Sequence, residues 1–254
     1  MTLDEGLEEF KVYFEYPSGK VLVNLLEVLG ALVDEVLFNF SEDGLTIKAL
    51  DPAQVALIKI QIPASSFLSY DVKSALSVGV NLSDVLKSLP KPKKGDKLTF
   101  KADGSFYEFF IESITSKRFK YRSIEVSSAE IPEELNVKFN VRASVVAKAF
   151  KDAIEDLKGG GTLVFESLEK QHLIIKATDI KAEAKLSLIG GSLLELEVDE
   201  PSKSSYDEEY LAKVIHLADL TDTLKVEFST DSPLHLVLTM PSGELVEYLQ
   251  APKA

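Results

Sequence analysis

Residues 44–62 read GLTIKALDPAQVALIKIQI. Apolar side chains at every second position predict two strands joined through Asp51-Pro52. Leu45, Ile47 and Ala49 form one inward set, and Ile58, Ile60 and Ile62 form the other. The opposite face should be polar, and Thr46, Lys48, Lys59 and Gln61 comply. Leu50, Val55 and Leu57 do not, which puts three apolar side chains on an outward face around one turn.

A related stretch returns later in the chain. IKALD at 47–51 is echoed by IKATD at 175–179, so Asp51 and Asp179 stand 128 residues apart. The surrounding periodicities repeat as well. A strand at 10–16 precedes a helix over 21–36 with Leu22, Leu25, Leu26, Leu29, Leu32 and Val33 as its apolar stripe. Strands at 36–40, 44–49 and 55–62 follow, then a helix over 81–89 stopped by Pro90, then strands near 98–102, 107–111 and 115–121. In the second half a strand at 137–141 leads into a helix over 145–157, with Val146, Ala149, Phe150, Ala153 and Leu157 inward. Strands at 162–166, 173–178 and 182–188 come next, followed by a helix over 207–218. Ser205 and Glu208 carry a capping-box signature for that helix. Strands at 224–229, 234–240 and 244–249 end the chain. Each half thus reads strand, long helix, three strands, helix, three strands, which predicts a duplicated α+β unit. Residues 1–9 read as an acidic extension, 10–122 and 135–254 as the two domains, and 123–134 as the connection between them.

The repeat acts as an internal control on the opening stretch. The positions matching Leu50, Val55 and Leu57 are Thr178, Glu183 and Lys185, all polar. A fold that demanded apolar residues there would show them twice. The cluster is therefore specific to the first half, and either the connecting segment or a partner covers it. The connecting segment supplies Ile124, Val126, Ala129, Ile131 and Pro132 among Glu and Ser, which suits a lightly pinned tether or one wall of a groove.

Composition narrows the chemistry. An apolar content of 45% over 254 residues is enough for one large or two medium cores. No apolar run approaches a membrane span and the first residues do not form a signal peptide, so an intracellular protein without a membrane partner is expected. The absence of cysteine excludes disulfides, thiolate zinc sites and a cysteine nucleophile. His172, His216 and His235 share no metal-type spacing and read as surface residues. Gly159-Gly160-Gly161 follows a helix and precedes a strand, the reverse of a phosphate loop. Asp51-Pro52 reads as turn chemistry. No catalytic set, metal or cofactor is expected, and the chain reads as a non-enzyme.

The net charge of −13 repels phosphates, yet the helices carry lysine. Lys148, Lys151, Glu155 and Lys158 lie opposite the apolar stripe of one helix, Lys87 lies on another, and Lys213 and His216 on the last. Lys91, Lys93 and Lys94 follow the short helix. Either these are solvated faces or they form a local basic surface inside an acidic whole. On the first helix Val23, Asn24, Glu27 and Gly30 fill the corresponding face with little positive charge.

The stretch GLTIKALDPAQVALIKIQIP, the helix start GVNLSDVLKSL, the connection ending EIPEE and the close STDSPLHLVLTMPSGELVEYLQAPK together resemble the proliferating cell nuclear antigen family. These are the DNA sliding clamps of eukaryotes and archaea. The similarity runs from about Phe10 to Lys253, and the acidic balance without cysteine looks more like an archaeal member. The resemblance implies two clamp domains per chain, outer antiparallel sheets, and two helices per domain lining a ring of three chains around duplex DNA. It implies sequence-independent phosphate contacts through Lys87, Lys91, Lys148, Lys151, Lys213 and His216. It implies a groove for the short hydrophobic–aromatic peptide (the PIP-box) of DNA polymerase, flap endonuclease and DNA ligase. That groove is built from Leu50, Gln54, Val55, Leu57, Ala129, Ile131, Pro132, Pro233, Leu234, Tyr248, Leu249, Gln250, Ala251 and Pro252. Gln250 stands where an apolar residue is common in the family, and Ala129 where larger ones occur. Ring closure is implied at two strand edges, through Phe119 and Tyr121 on one and Ile180, Ala182 and Ala184 on the other, with a homotrimer and a heterotrimer both open. A clamp loader is the further partner, and the implied location is the archaeal cytoplasm at the nucleoid, or the nucleus of a eukaryote. A checkpoint-type or scaffold clamp without a processivity role is the alternative.

Overall fold

The computed structural model describes residues 10–127 and 137–253. By internal contacts these fall into two compact units, one of residues 10–30, 34–47 and 61–127 and the other of 31–33, 48–60 and 137–253. In chain order the first half runs β1 (Val12–Tyr16), α1 (Gly19–Leu32), β2 (Glu35–Ser41), β3 (Gly44–Leu50), β4 (Ala56–Pro63), β5 (Ser69–Val72), β6 (Leu76–Asn81), α2 (Leu82–Ser88), β7 (Lys97–Ala102), β8 (Phe106–Glu112) and β9 (Ser116–Arg122). The second half runs β10 (Val141–Val146), α3 (Ala147–Asp156), β11 (Thr162–Ser167), β12 (His172–Ala177), β13 (Ala182–Ser187), β14 (Leu193–Val198), β15 (Ser202–Asp207), α4 (Glu208–Val214), a 3-10 turn Ile215–Leu220, β16 (Thr223–Phe228), β17 (Leu234–Thr239) and β18 (Leu245–Gln250).

The two halves therefore share one order: strand, helix, five strands, helix, three strands. The fold is the duplicated α+β arrangement with two strands more per half than periodicity predicts. The additional strands β5, β6, β14 and β15 include SYDV and SKSSYD, where Ser and Asp mask the alternation.

In the first unit β5-β1-β7-β8-β9 form an antiparallel sheet, and β6 pairs antiparallel with β2. Its core is aromatic: Phe100 stacks on Phe14 at 5.1 Å and on Phe40 at 5.3 Å, and meets Phe109 edge-on at 5.1 Å. Pairs of this kind add about 0.5–1.5 kcal/mol each beyond area burial. Residues 123–124 are laid against β6. The Gly79 N–H donates to Ser123 Oγ (3.1 Å) and the Ile124 N–H donates to the Gly79 carbonyl (3.1 Å). A Cβ at Gly79 would collide with the Ile124 carbonyl, so only glycine admits the start of the connecting segment there.

In the second unit β13-β12-β11-β15 form one sheet, and β14-β10-β16-β17-β18 form another in which β4 lies next to β18. Phe165 packs edge-on against Tyr206 (5.4 Å) and Phe228 (6.1 Å) between them.

Three local readings need correction. The strand placed at 137–141 is β10, Val141–Val146; its β-branched residues pair on both sides, with β14 and β16, and helix α3 waits until Ala147. Helix α1 ends at Leu32 rather than 36, because Val36 is drawn into pairing with Val80. The cap of α4 is Asp207, whose carboxylate accepts from the Glu209 N–H at 3.0 Å, while Ser205 stays in β15 opposite Val164.

Candidate partner groove and cationic faces

Burial along β3 and β4 follows the alternation. Leu45, Ile47, Ala49, Ile58, Ile60 and Ile62 are buried, and Leu50, Val55 and Leu57 are half-exposed. The turn between them is organised by Asp51. Its carboxylate is 4% exposed and accepts four hydrogen bonds. Oδ1 takes the N–H groups of Val55 and Ala56, both at 2.6 Å, and Oδ2 takes the Ala53 N–H and the Tyr210 hydroxyl, both at 2.9 Å. Burial alone pushes this carboxyl up. Donation from Ala56, Tyr210, Ala53 and Val55 together outweighs it and holds the group below the usual carboxylate range. Gln54 turns the chain back with φ of 58°.

The C-terminal segment is strapped to the same turn. The Ala251 N–H donates to the Val55 carbonyl at 2.8 Å. Gln250 Nε2 donates to the Asp207 carbonyl at 2.9 Å, and the Tyr248 hydroxyl donates to Gln250 Oε1 at 3.0 Å. All of these groups belong to the second unit. Leu50, Val55, Leu57, Pro233, Leu249, Ala251 and Pro252 present partial surface, and Gln54 is exposed. Leu234, Tyr248 and Gln250 have no exposed surface and support the others from within. Gln250 thus spends its amide on the fold. Ala129, Ile131 and Pro132 lie outside the described residues. Tyr210 was not legible as part of this site. It sits on α4, distant in sequence, and nothing in its local pattern marks it as the partner of Asp51.

Beyond Leu57 and Leu249 the surface becomes ionic. Lys59 pairs with Glu247 (3.4 Å), Glu247 lies 3.7 Å from His235 Nε2, and His235 Nδ1 meets Glu227 at 2.8 Å. His235 is half-buried and stacked on Phe139 rather than freely exposed.

The helix cations are mostly paired. Lys148 meets Asp152 at 2.8 Å, Lys151 meets Asp219 at 2.7 Å and Glu155 at 3.6 Å, and Lys91 meets Glu27 at 2.7 Å. His216 Nδ1 is 4.0 Å from Asp219, and the Lys213 ammonium lies 4.7 Å from the centre of the Tyr210 ring. Lys87, in the last turn of α2, is exposed. On the first helix Val23 is buried, and a Cβ at Gly30 would strike Leu86 of α2, so this part of the helix is packed. The four strand-edge aromatics and aliphatics at Phe119, Tyr121, Ala182 and Ala184 are half-buried, and Ile180 is 45% exposed. They lie on or beside β9 and β13, each the last strand of its sheet.

Among the described residues no group of His, Asp and Glu is placed to hold a metal, and no helix is long and apolar enough to cross a membrane. Among the described residues the fold displays an apolar surface turn, a strapped C-terminus and several edge strands, β9 and β13 among them. The family model for the proliferating cell nuclear antigen N-terminal domain matches residues 12–134. The chain is 32% identical over 246 residues to DNA polymerase sliding clamp 1 of Aeropyrum pernix, covering 94% of this chain and 98% of the relative. It is 30% identical to the DNA polymerase sliding clamp of Thermococcus sibiricus, covering 96% and 98%. In the solved PCNA2-PCNA3 complex from Sulfolobus tokodaii, a chain 28% identical superposes with a TM-score of 0.89, covering 95% of this chain and 99% of that one. The chain belongs to the proliferating cell nuclear antigen family of DNA sliding clamps, and as such is a non-enzymatic processivity factor.

Proposed function

We propose that this chain closes with two further clamp subunits into a ring around duplex DNA and tethers replication and repair enzymes to it. The two domains of the ring subunit are 10–122 and 135–254, joined by 123–134. The turn at 50–57, with Pro233 and residues 249–252, receives the hydrophobic–aromatic tail peptide of a DNA polymerase, a flap endonuclease or a DNA ligase. A clamp loader opens and places the ring, and the complex works at the chromosome inside an archaeal cell. The observation that carries this reading is the half-exposed apolar triad Leu50, Val55 and Leu57, held by a buried aspartate and strapped to the C-terminus through Ala251. Its counterparts in the second half, Thr178, Glu183 and Lys185, are exposed and polar.

Lys87, Lys91, Lys148, Lys151, Lys213 and His216 make the phosphate contacts, which carry no sequence information and suit a sliding protein. Most of them are already engaged by carboxylates or a ring, so DNA must compete with Asp152, Asp219 and Glu27 for them. This favours weak, easily slipped contacts. The same pairing is the one observation that favours a second reading, a scaffold clamp without a processivity role. The assay that separates them is DNA synthesis on a primed circular template with the clamp loaded, alone or with sister clamp chains. The tethering reading expects long products at limiting polymerase. Products no longer than without clamp, in every combination of chains, would reject it.

A further inference from the structure

The apolar row of the candidate groove does not stop at Leu249. Strand register carries it onward across the sheet: Leu249 of β18 pairs with His235 of β17, His235 with Glu227 of β16, and Glu227 with Arg142 of β10. One step along the strands, Lys59 of β4 meets Glu247 of β18 at 3.4 Å. Lys59 shares its face with Leu57, and Glu247 shares its face with Leu249. Residues two apart on a strand are separated by about 7 Å, so a peptide laid on the apolar row brings its next side chains to these ionic groups.

The two carboxylates on this flank differ in how far they are satisfied. Glu227 is hydrogen-bonded to His235 Nδ1 at 2.8 Å, and that bond, against the effect of burial, holds its carboxyl below the usual range. Phe139, stacked on the imidazole at 5.5 Å, fixes the ring from another side. Glu247 has only loose ionic neighbours, Lys59 at 3.4 Å and His235 Nε2 at 3.7 Å, and its carboxylate accepts no hydrogen bond among the described residues. Its side chain keeps 28% of its surface exposed. The next cation along the row is no help, because Arg142 is held by Glu197 and Asp199, each at 3.0 Å. Carboxylates are therefore in excess beside the apolar row. A peptide ammonium or guanidinium there would supply the donors that Glu247 lacks, whereas a peptide carboxylate would meet like charge in a surface that docking dries.

We propose that Glu247 is a specificity-determining residue of the groove, selecting partner tails that carry lysine or arginine beside their apolar residues and rejecting acidic ones. The inference rests on the groove reading and names the kind of tail that groove prefers. Three synthetic peptides test it, sharing one hydrophobic–aromatic core and carrying serine, lysine or glutamate at the residues that flank it. Each is titrated by calorimetry into the full chain as wild type, Glu247→Gln, Glu247→Lys and Glu169→Gln, with unfolding curves to confirm native protein. Glu169 is exposed, at the end of β11 opposite the Asp207 pairing, so Glu169→Gln makes the same charge change as Glu247→Gln away from the groove. It separates a local contact from the general pull of a chain of charge −13. Wild type and Glu169→Gln should bind the lysine peptide at least about tenfold more tightly than the glutamate peptide, a ratio that shrinks as salt is raised. Glu247→Gln should cut the ratio to about threefold or less, and Glu247→Lys should invert it. A wild type that binds all three peptides equally, or a ratio that survives both Glu247 variants, overturns the inference and leaves the groove standing. So does an equal fall in the ratio with Glu169→Gln. Tighter binding of the glutamate peptide would assign the flank to Lys59 and likewise overturn it. If none of the three peptides binds the wild type, the groove reading fails and this inference with it.

Discussion

The turns at 50–57 and 178–185 begin on nearly the same residues, IKALD and IKATD, and then diverge. In the first, Asp51 is buried, takes four hydrogen bonds and folds the following residues into a compact loop with apolar side chains outward. In the second, Asp179 is exposed. It accepts from its neighbour Thr178 Oγ1 at 2.9 Å, and its N–H donates to the Gly160 carbonyl at 3.2 Å, on the turn after α3. A side chain at Gly161 would collide with the Asp179 carboxylate and one at Gly160 with Ala177, while Gly159 takes a φ of +80°, so the run serves a close approach and a tight turn. One duplicated aspartate thus anchors a turn with apolar side chains outward, the surface proposed for partners, and the other merely finishes a turn. Duplication fixes the scaffold, and the residues added around it decide which copy acquires a site.

The largest effect should come from charging the floor of the first turn. Leu50→Asp combined with Leu57→Asp should remove all stimulation of DNA synthesis on the circular template, because docking a partner's apolar side chain there would bury an unpaired carboxylate. Thr178→Asp, the matching change in the second half, should leave synthesis unaltered. Equal loss in both would erase the distinction between the turns.

Next comes the anchor itself. Asp51→Ala strands the N–H groups of Val55, Ala56 and Ala53 and the Tyr210 hydroxyl, and should cost about 2–4 kcal/mol in urea unfolding. Asp179→Ala, at an exposed site, should cost under about 1 kcal/mol by the same measurement.

A smaller signature is in the acid limb. The Asp51 carboxyl titrates below the ordinary aspartate range in the fold. Its stabilising contribution is therefore complete above the unfolded value of about 3.9 and is lost as pH falls through the lower folded value. Asp51→Asn should be less stable than wild type at neutral pH, and the gap should narrow below about pH 4. A constant gap would mean that the carboxylate charge plays no part in holding the loop.

The smallest change is expected at the helices. Lys148→Glu with Lys151→Glu should leave tail-peptide affinity intact and flatten the salt dependence of DNA retention, by less than about two charges' worth, because both lysines are partly neutralised by Asp152, Asp219 and Glu155. A slope equal to wild type would remove these two lysines from the DNA face.

Much of this was legible in the sequence where period and chemistry agree. The alternation at 44–62 put Leu50, Val55 and Leu57 outward, and the structure has them half-exposed while their neighbours are buried. The duplicated order of elements was visible because the α1 and α3 stripes and the paired IKA-D motifs are strong local signals. What escaped depends on long-range contacts. Strand β15 has a serine-rich sequence and owes its conformation to pairing with β11. Tyr210 reaches Asp51 across 159 positions, and no spacing rule connects them. Leu234, Tyr248 and Gln250 resembled groove surface in sequence, but strand pairing turns them inward, where Gln250 bonds the Asp207 carbonyl. The lysine faces looked freer than they are: Asp219 for Lys151 and Glu27 for Lys91 lie on other elements, whereas Asp152 for Lys148 and Glu155 for Lys151 stand four residues on along the same helix.

The central claim is that the apolar turn at 50–57 is the seat of the partner peptide. The direct measurement is calorimetric titration of a polymerase C-terminal tail peptide into the wild-type chain and into Leu57→Asp, with unfolding curves to confirm that both are native. The account predicts saturable binding to the wild type and a loss of at least about 100-fold, near 2.7 kcal/mol, in the variant. Equal affinity in the two would contradict it.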